Sequence, residues 1–174
     1  MSDALAAKMA PTLVATRAGT MLRMVRQGLR NMGDTGEDRK LLGFLGVVVF
    51  GHSMTEVMKN LRTYDRKAFN KWYSPFQDEM KCDELMKYFK NLRDQIIHKN
   101  VPMISIQLGG FGDNMRPIGS ITVEDAPPPK SHLGLSLDDT SIFNLCRLYI
   151  IYLERMFESF APLAFAVSDR LNVR

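Results

Sequence analysis

The chain has 174 residues, a formal net charge of +4, 45% hydrophobic residues and 24% charged ones. That length and balance suit a single domain with an ordinary core, and they disfavour both general disorder and a membrane-embedded protein. A pI near 9.1 permits an anionic partner without requiring one, because mild basicity points to nucleic acid only where Lys and Arg gather on one surface.

The N-terminal segment carries Asp3 and Lys8 and lacks the basic start and unbroken apolar stretch of a signal peptide. The longest apolar run, residues 41–50, is about half the length a membrane-spanning helix needs. A soluble, cytoplasmic protein with no membrane association is the expectation. Cys82 and Cys146 show no metal-ligand spacing and read as buried thiols rather than a bridge.

In chain order, residues 12–32 place Val14, Ala18, Met21, Leu22, Val25, Leu29 and Met32 at helical spacing, among Arg17, Arg23, Arg26 and Arg30. Pro11 suits the start of this helix, and Gly33 a left-handed terminating residue. Asp34 and Thr35, followed by Glu37 and Asp38, signal a second helix over about 38–61. Its run LLGFLGVVVFG is apolar on nearly every face, so it is expected at the centre of the fold, with Gly43, Gly46 and Gly51 allowing close backbone approach. His52, beside that run, reads as a hydrogen-bonded structural residue.

Basic residues Arg62, Arg66, Lys67 and Lys71 lead into Phe69, Trp72, Tyr73 and Phe76, spaced i, i+3, i+4, i+7. The spacing predicts a short helix over 65–73 with its aromatic face in the core and Pro75 ending it. The alternative is a nucleic-acid surface of cations and stacking rings, with Arg62, Arg66, Lys67, Lys71 and Lys99 as candidate RNA contacts.

A further helix over 84–99 has the clearest amphipathic pattern, with Leu85, Phe89, Leu92 and Ile96 in a sector about 60° wide, and Arg93 at its edge. Asp94 and His98 are neighbours on another face. Residues 103–125 switch to an alternating, β-branched pattern and predict a β-hairpin with GGFGDNM as its turn region; such a pair of strands must lean on the helices or on another subunit. APPPK, 126–130, reads as a stiff spacer into a polar loop. A last helix over 138–160 is introduced by Ser136, Asp138 and Asp139 and is expected to break at Pro162, leaving 161–174 as an unassigned tail.

Arg93-Asp94-Gln95-Ile96-Ile97-His98 near a helix end resembles the R-x(4 to 6)-H signature of the HEPN superfamily, and the helical pattern around it fits. The resemblance implies a mainly α, four-helix up-and-down bundle with the hairpin inserted before its last long helix. It also implies either a non-catalytic dimerisation or interaction domain, with RNA as a possible partner, or a metal-independent endoribonuclease. In the second case Arg93 would hold phosphate oxygens, His98 would move protons and Asp94 would orient the ring. Arg93 and His98 lie about 140° apart around a straight helix, so their cooperation requires a distorted helix end or a homodimer, in which Met86 and Ile97 could supply apolar contact. No cofactor is expected: the sequence has no phosphate-binding glycine loop before a helix, no metal-ligand cluster and no nucleophile elbow.

Overall fold

The computed structural model describes residues 10–34, 36–98, 104–111, 117–123, 126–137 and 140–173. Helix α1 spans Pro11–Met32 and α2 spans Glu37–Lys59, extended by a 3-10 turn at Asn60–Thr63. Helices α3, Arg66–Cys82, and α4, Glu84–His98, follow. Strands β1, Ile104–Phe111, and β2, Pro117–Val123, form an antiparallel hairpin; β3, Ser131–His132, and β4, Leu135–Ser136, form a second, minimal one. Helix α5, Ile142–Asn172, completes a mainly helical fold.

The expected stripes fill the core. Val14, Ala18, Leu22 and Val25 of α1 are buried with Phe44, Val47 and Met54 of α2, Leu85, Phe89 and Leu92 of α4, and Leu145, Tyr149, Leu153 and Met156 of α5. Helices α1 and α2 meet backbone to backbone: a Cβ at Gly43 would lie 2.5 Å from the Gly28 carbonyl oxygen, and one at Gly28 would lie 2.7 Å from that of Gly43. Only glycine permits that approach. By length and composition, 37–63 could cross a membrane; here its Gly43, Phe44, Val47 and Val48 are packed in the bundle.

Several boundaries differ from expectation. Helix α3 does not end near Tyr73; it runs through Pro75 to Cys82, with Phe69 buried and Trp72, Tyr73, Phe76 and Met80 packed against the core on both sides of the proline. Helix α5 likewise passes Pro162, so the expected tail is helix, anchored by buried Phe160, Ala164 and Val167. Both prolines are exposed, and the carbonyls they leave without a helical donor belong to Lys71 and Glu158, which are exposed residues. Packing on either side outweighs the local proline penalty. Gly33 is right-handed, at φ −80°, and not left-handed. The cap of α5 is Ser141, whose hydroxyl accepts from the Asn144 N–H. Cys146 is buried as expected, whereas Cys82 is an exposed free thiol.

The hairpin does lean on the helices: β1 and β2 contact α2, and β2 also contacts α5. The GGF of the expected turn belongs to β1, where the register shifts between Leu108 and Phe111; the rest of that turn lies outside the described residues.

Candidate functional site

Arg93, at the edge of the α4 stripe, points inward. Its side chain is only 16% exposed, its Nη1 forms an ion pair with Asp94 Oδ1 at 2.9 Å, and its buried Nε has no hydrogen-bond acceptor. Asp94 is therefore engaged by the neighbouring guanidinium. Helix α4 ends at His98, but the position of its ring lies outside the described residues, as does Lys99. Met86 is buried in the protein's own core and offers no dimer contact, whereas Ile97 is exposed.

Arg93 lines a groove of about 470 Å³ between α2, α3 and α4. His52, Glu56 and Lys59 contribute from α2, Tyr73, Gln77 and Lys81 from α3, and Lys87 and Lys90 from α4, with Phe89 and Tyr149 as apolar floor. The amphipathic patterns position these groups: α4 buries Leu85, Phe89 and Leu92 and so turns Lys87 and Lys90 outward. Tyr149 stacks on Phe89 with ring centroids 4.1 Å apart, and it occupies the space a side chain at position 51 would need, 2.6 Å from an ideal Cβ on Gly51.

Lys59, Tyr73 and Gln77 also line a second depression of about 520 Å³ bounded by Arg62, Phe69, Asn70 and Ser74, so the two adjoin along α3. Of the expected RNA contacts, Arg62 lines this second depression. Lys71 lines a different depression, with Trp72 and Arg170, and Arg66 and Lys67 are exposed at the start of α3 without lining either. The aromatic residues largely follow the core reading: Phe69 is buried, Trp72 donates to the Ser159 hydroxyl at 2.9 Å, and Phe76 packs edge-on to Tyr152. Tyr73 does both, stacking on Phe69 and lining the groove.

His52 is more than a satisfied core residue. Its Nε2 lies 3.3 Å from Glu56 Oε1, and that oxygen also accepts from Lys59 at 2.6 Å. Burial, reinforced by the nearby Arg93 charge, holds the His52 pKa below its usual value despite Glu56. The imidazole is thus biased toward its neutral form in a groove otherwise rich in cations. Glu56 and Lys59, at i+4 and i+7 from His52, are the signal in the sequence that marks a polar stripe continuing from the apolar run.

Among the described residues, no three His, Cys, Asp or Glu side chains converge as metal ligands would. The arrangement can hold phosphate oxygens through several cations, beside the partly exposed Tyr73 ring. No protein-family model matches the chain, and neither a curated protein nor a solved structure does.

Proposed function

We propose that this chain is a HEPN-type helical interaction module that binds single-stranded RNA along the groove between α2, α3 and α4. The observation that carries the reading is the convergence of Lys59, Lys87, Lys90 and Arg93 on one cleft, with Tyr73 lining it and the adjoining depression. Spaced cations answer successive phosphates, and an accessible aromatic face accepts an unstacked base whatever its identity. The Arg93-Asp94-x-x-x-His98 segment ending α4, followed by a hairpin and a final long helix, supports the HEPN assignment.

A labelled single-stranded RNA titrated into the protein by fluorescence anisotropy tests this. Lys87→Ala and Lys90→Ala, both at exposed positions, should weaken binding regardless of sequence, and each should reduce the log–log salt slope by about 0.7. Binding that is absent in the unaltered protein, or indifferent to both substitutions, rejects the groove.

One observation favours a second reading, metal-independent cleavage. His52, biased toward neutrality, shares the groove with Arg93. A neutral imidazole can take the proton of a 2′-hydroxyl as that oxygen attacks the adjacent phosphorus, and Arg93 can hold the phosphate oxygens as charge builds. The P–O5′ bond would break, leaving a 2′,3′-cyclic phosphate and, after protonation, a 5′-hydroxyl. Incubation of labelled RNA in a chelator separates the readings: intact RNA leaves a binding module, and cyclic-phosphate ends that disappear with His52→Ala make it a nuclease.

A further inference from the structure

Helix α5 carries a second surface that the groove does not use. At 100° per residue, Arg147, Ile151, Glu154 and Glu158 fall within a sector about 60° wide. Ile151 is 57% exposed between buried Ile150 and Tyr152. Arg147 and Glu158 are exposed and have no ion-pair partner among the described residues, whereas Glu154 pairs with Arg26 of α1 at 2.7 Å. The face thus reads basic, apolar, acidic along the helix.

We propose that this face is a homodimer interface in which two copies of α5 pack antiparallel about a two-fold axis midway between Ile151 and Glu154. Such an axis sets Arg147 opposite the partner's Glu158 and, by symmetry, Glu158 opposite the partner's Arg147. Two ion pairs form from one complementary pattern. The exposed Ile151 side chains meet at the centre over the aliphatic stem of Glu154, and partly exposed Phe143 comes level with the partner's Pro162, also exposed. A parallel arrangement would set Arg147 against Arg147 and Glu158 against Glu158, so the charge order itself selects the antiparallel one.

The geometry leaves the groove free. Helix α4 meets α5 through Phe89 and Tyr149, and Tyr149 lies about 200° around α5 from Arg147. A dimer formed here presents two open grooves, and its existence does not depend on what those grooves hold.

Analytical ultracentrifugation of the full chain over a concentration series tests the proposal. Arg147→Glu and Glu158→Arg should each weaken the dimer by about tenfold, because each reversal occurs twice across the two-fold and replaces attraction with repulsion. The double variant carrying both should recover the dimer. Ile151→Asp should be monomeric while keeping the unaltered protein's circular dichroism, since the position is exposed. A protein that is monomeric at every concentration overturns the proposal. So does a dimer indifferent to both reversals, or one that the double variant fails to restore.

Discussion

Oδ2 of Asp83 lies 3.0 Å from Nδ1 of His132, and both residues are buried. The same carboxylate caps α4 by accepting from the Met86 N–H at 3.0 Å, and it accepts from the Leu133 N–H at 2.8 Å. Leu133 and Gly134 form the tight turn between β3 and β4 with φ of 47° and 81°, the left-handed pair of a two-residue hairpin. One side chain therefore holds a helix start, a buried imidazole and a turn that a leucine adopts unwillingly. Next to it, Glu84 accepts from the Lys130 N–H at 2.8 Å, so the proline connector is fastened to the start of α4.

Removing Asp83 leaves three donors without their acceptor. Asp83→Ala is expected to destabilise the protein by about 2–4 kcal/mol in chemical denaturation. Burial pushes the Asp83 pKa up, but the Leu133, His132 and Met86 donors together outweigh it and hold it below the usual carboxylate value. A depressed folded pKa means that the unfolded chain binds more protons, so this stabilisation is complete above the ordinary Asp value and is lost as pH falls through the folded one. Denaturation midpoints between about pH 5 and pH 2 should therefore fall less steeply in Asp83→Asn than in the unaltered protein.

The helix crossing at Gly28 and Gly43 gives a contrasting pair. Gly43→Ala places a methyl group 2.5 Å from a backbone oxygen, which cannot move aside as a side-chain tip can. A loss of about 1–3 kcal/mol or more is expected. Gly46→Ala meets nothing closer than 3.8 Å, so it should be neutral or stabilise by up to about 1 kcal/mol through helix propensity. Equal effects at the two positions would contradict the crossing.

Much of this architecture was legible in the sequence, and the parts that were not share a cause. The stripe Leu85, Phe89, Leu92, Ile96 gave α4 because its period is local information. Proline signals are local too, yet Pro75 and Pro162 are overruled by Phe76 and Met80, and by Ala164 and Val167, whose packing partners lie far along the chain. Asp83 and His132 are 49 residues apart, and neither residue type announces the other. Arg93 was placed at the stripe's edge by its angle, but whether an edge residue turns into a cleft depends on what the facing helices supply. His52 reads as structural from the apolar run beside it, because Arg93, the cation that acts on it most, comes from α4.

Pro162→Ala should raise stability by about 1–3 kcal/mol, because it supplies a helical N–H and removes the ring's clash within an established helix. Far-UV circular dichroism should change little, since α5 already continues to Asn172. A large gain in helicity would mean instead that the segment beyond Pro162 is not helical in the unaltered protein.

The groove makes a prediction in which proton and ligand are coupled through His52. The charged groups acting on it are Glu56 and Lys59 of α2 and Arg93 and Asp94 of α4; Tyr73 and Lys81 of α3, Lys87 and Lys90 of α4 and Tyr149 of α5 line the same groove. Its pKa is lowered by burial first and by Arg93 second, so an imidazole titration followed by NMR should fall below the usual 6.5, and Arg93→Ala should bring it partway back. A phosphate seated against Arg93 would cancel that charge and favour imidazolium. The bound-state pKa is then the higher one, so binding takes up a proton and affinity should strengthen as pH drops through the His52 titration. In His52→Gln the pH dependence should flatten while binding persists. RNA affinity that is constant from about pH 8 to pH 5.5 in the unaltered protein would separate His52 from the ligand.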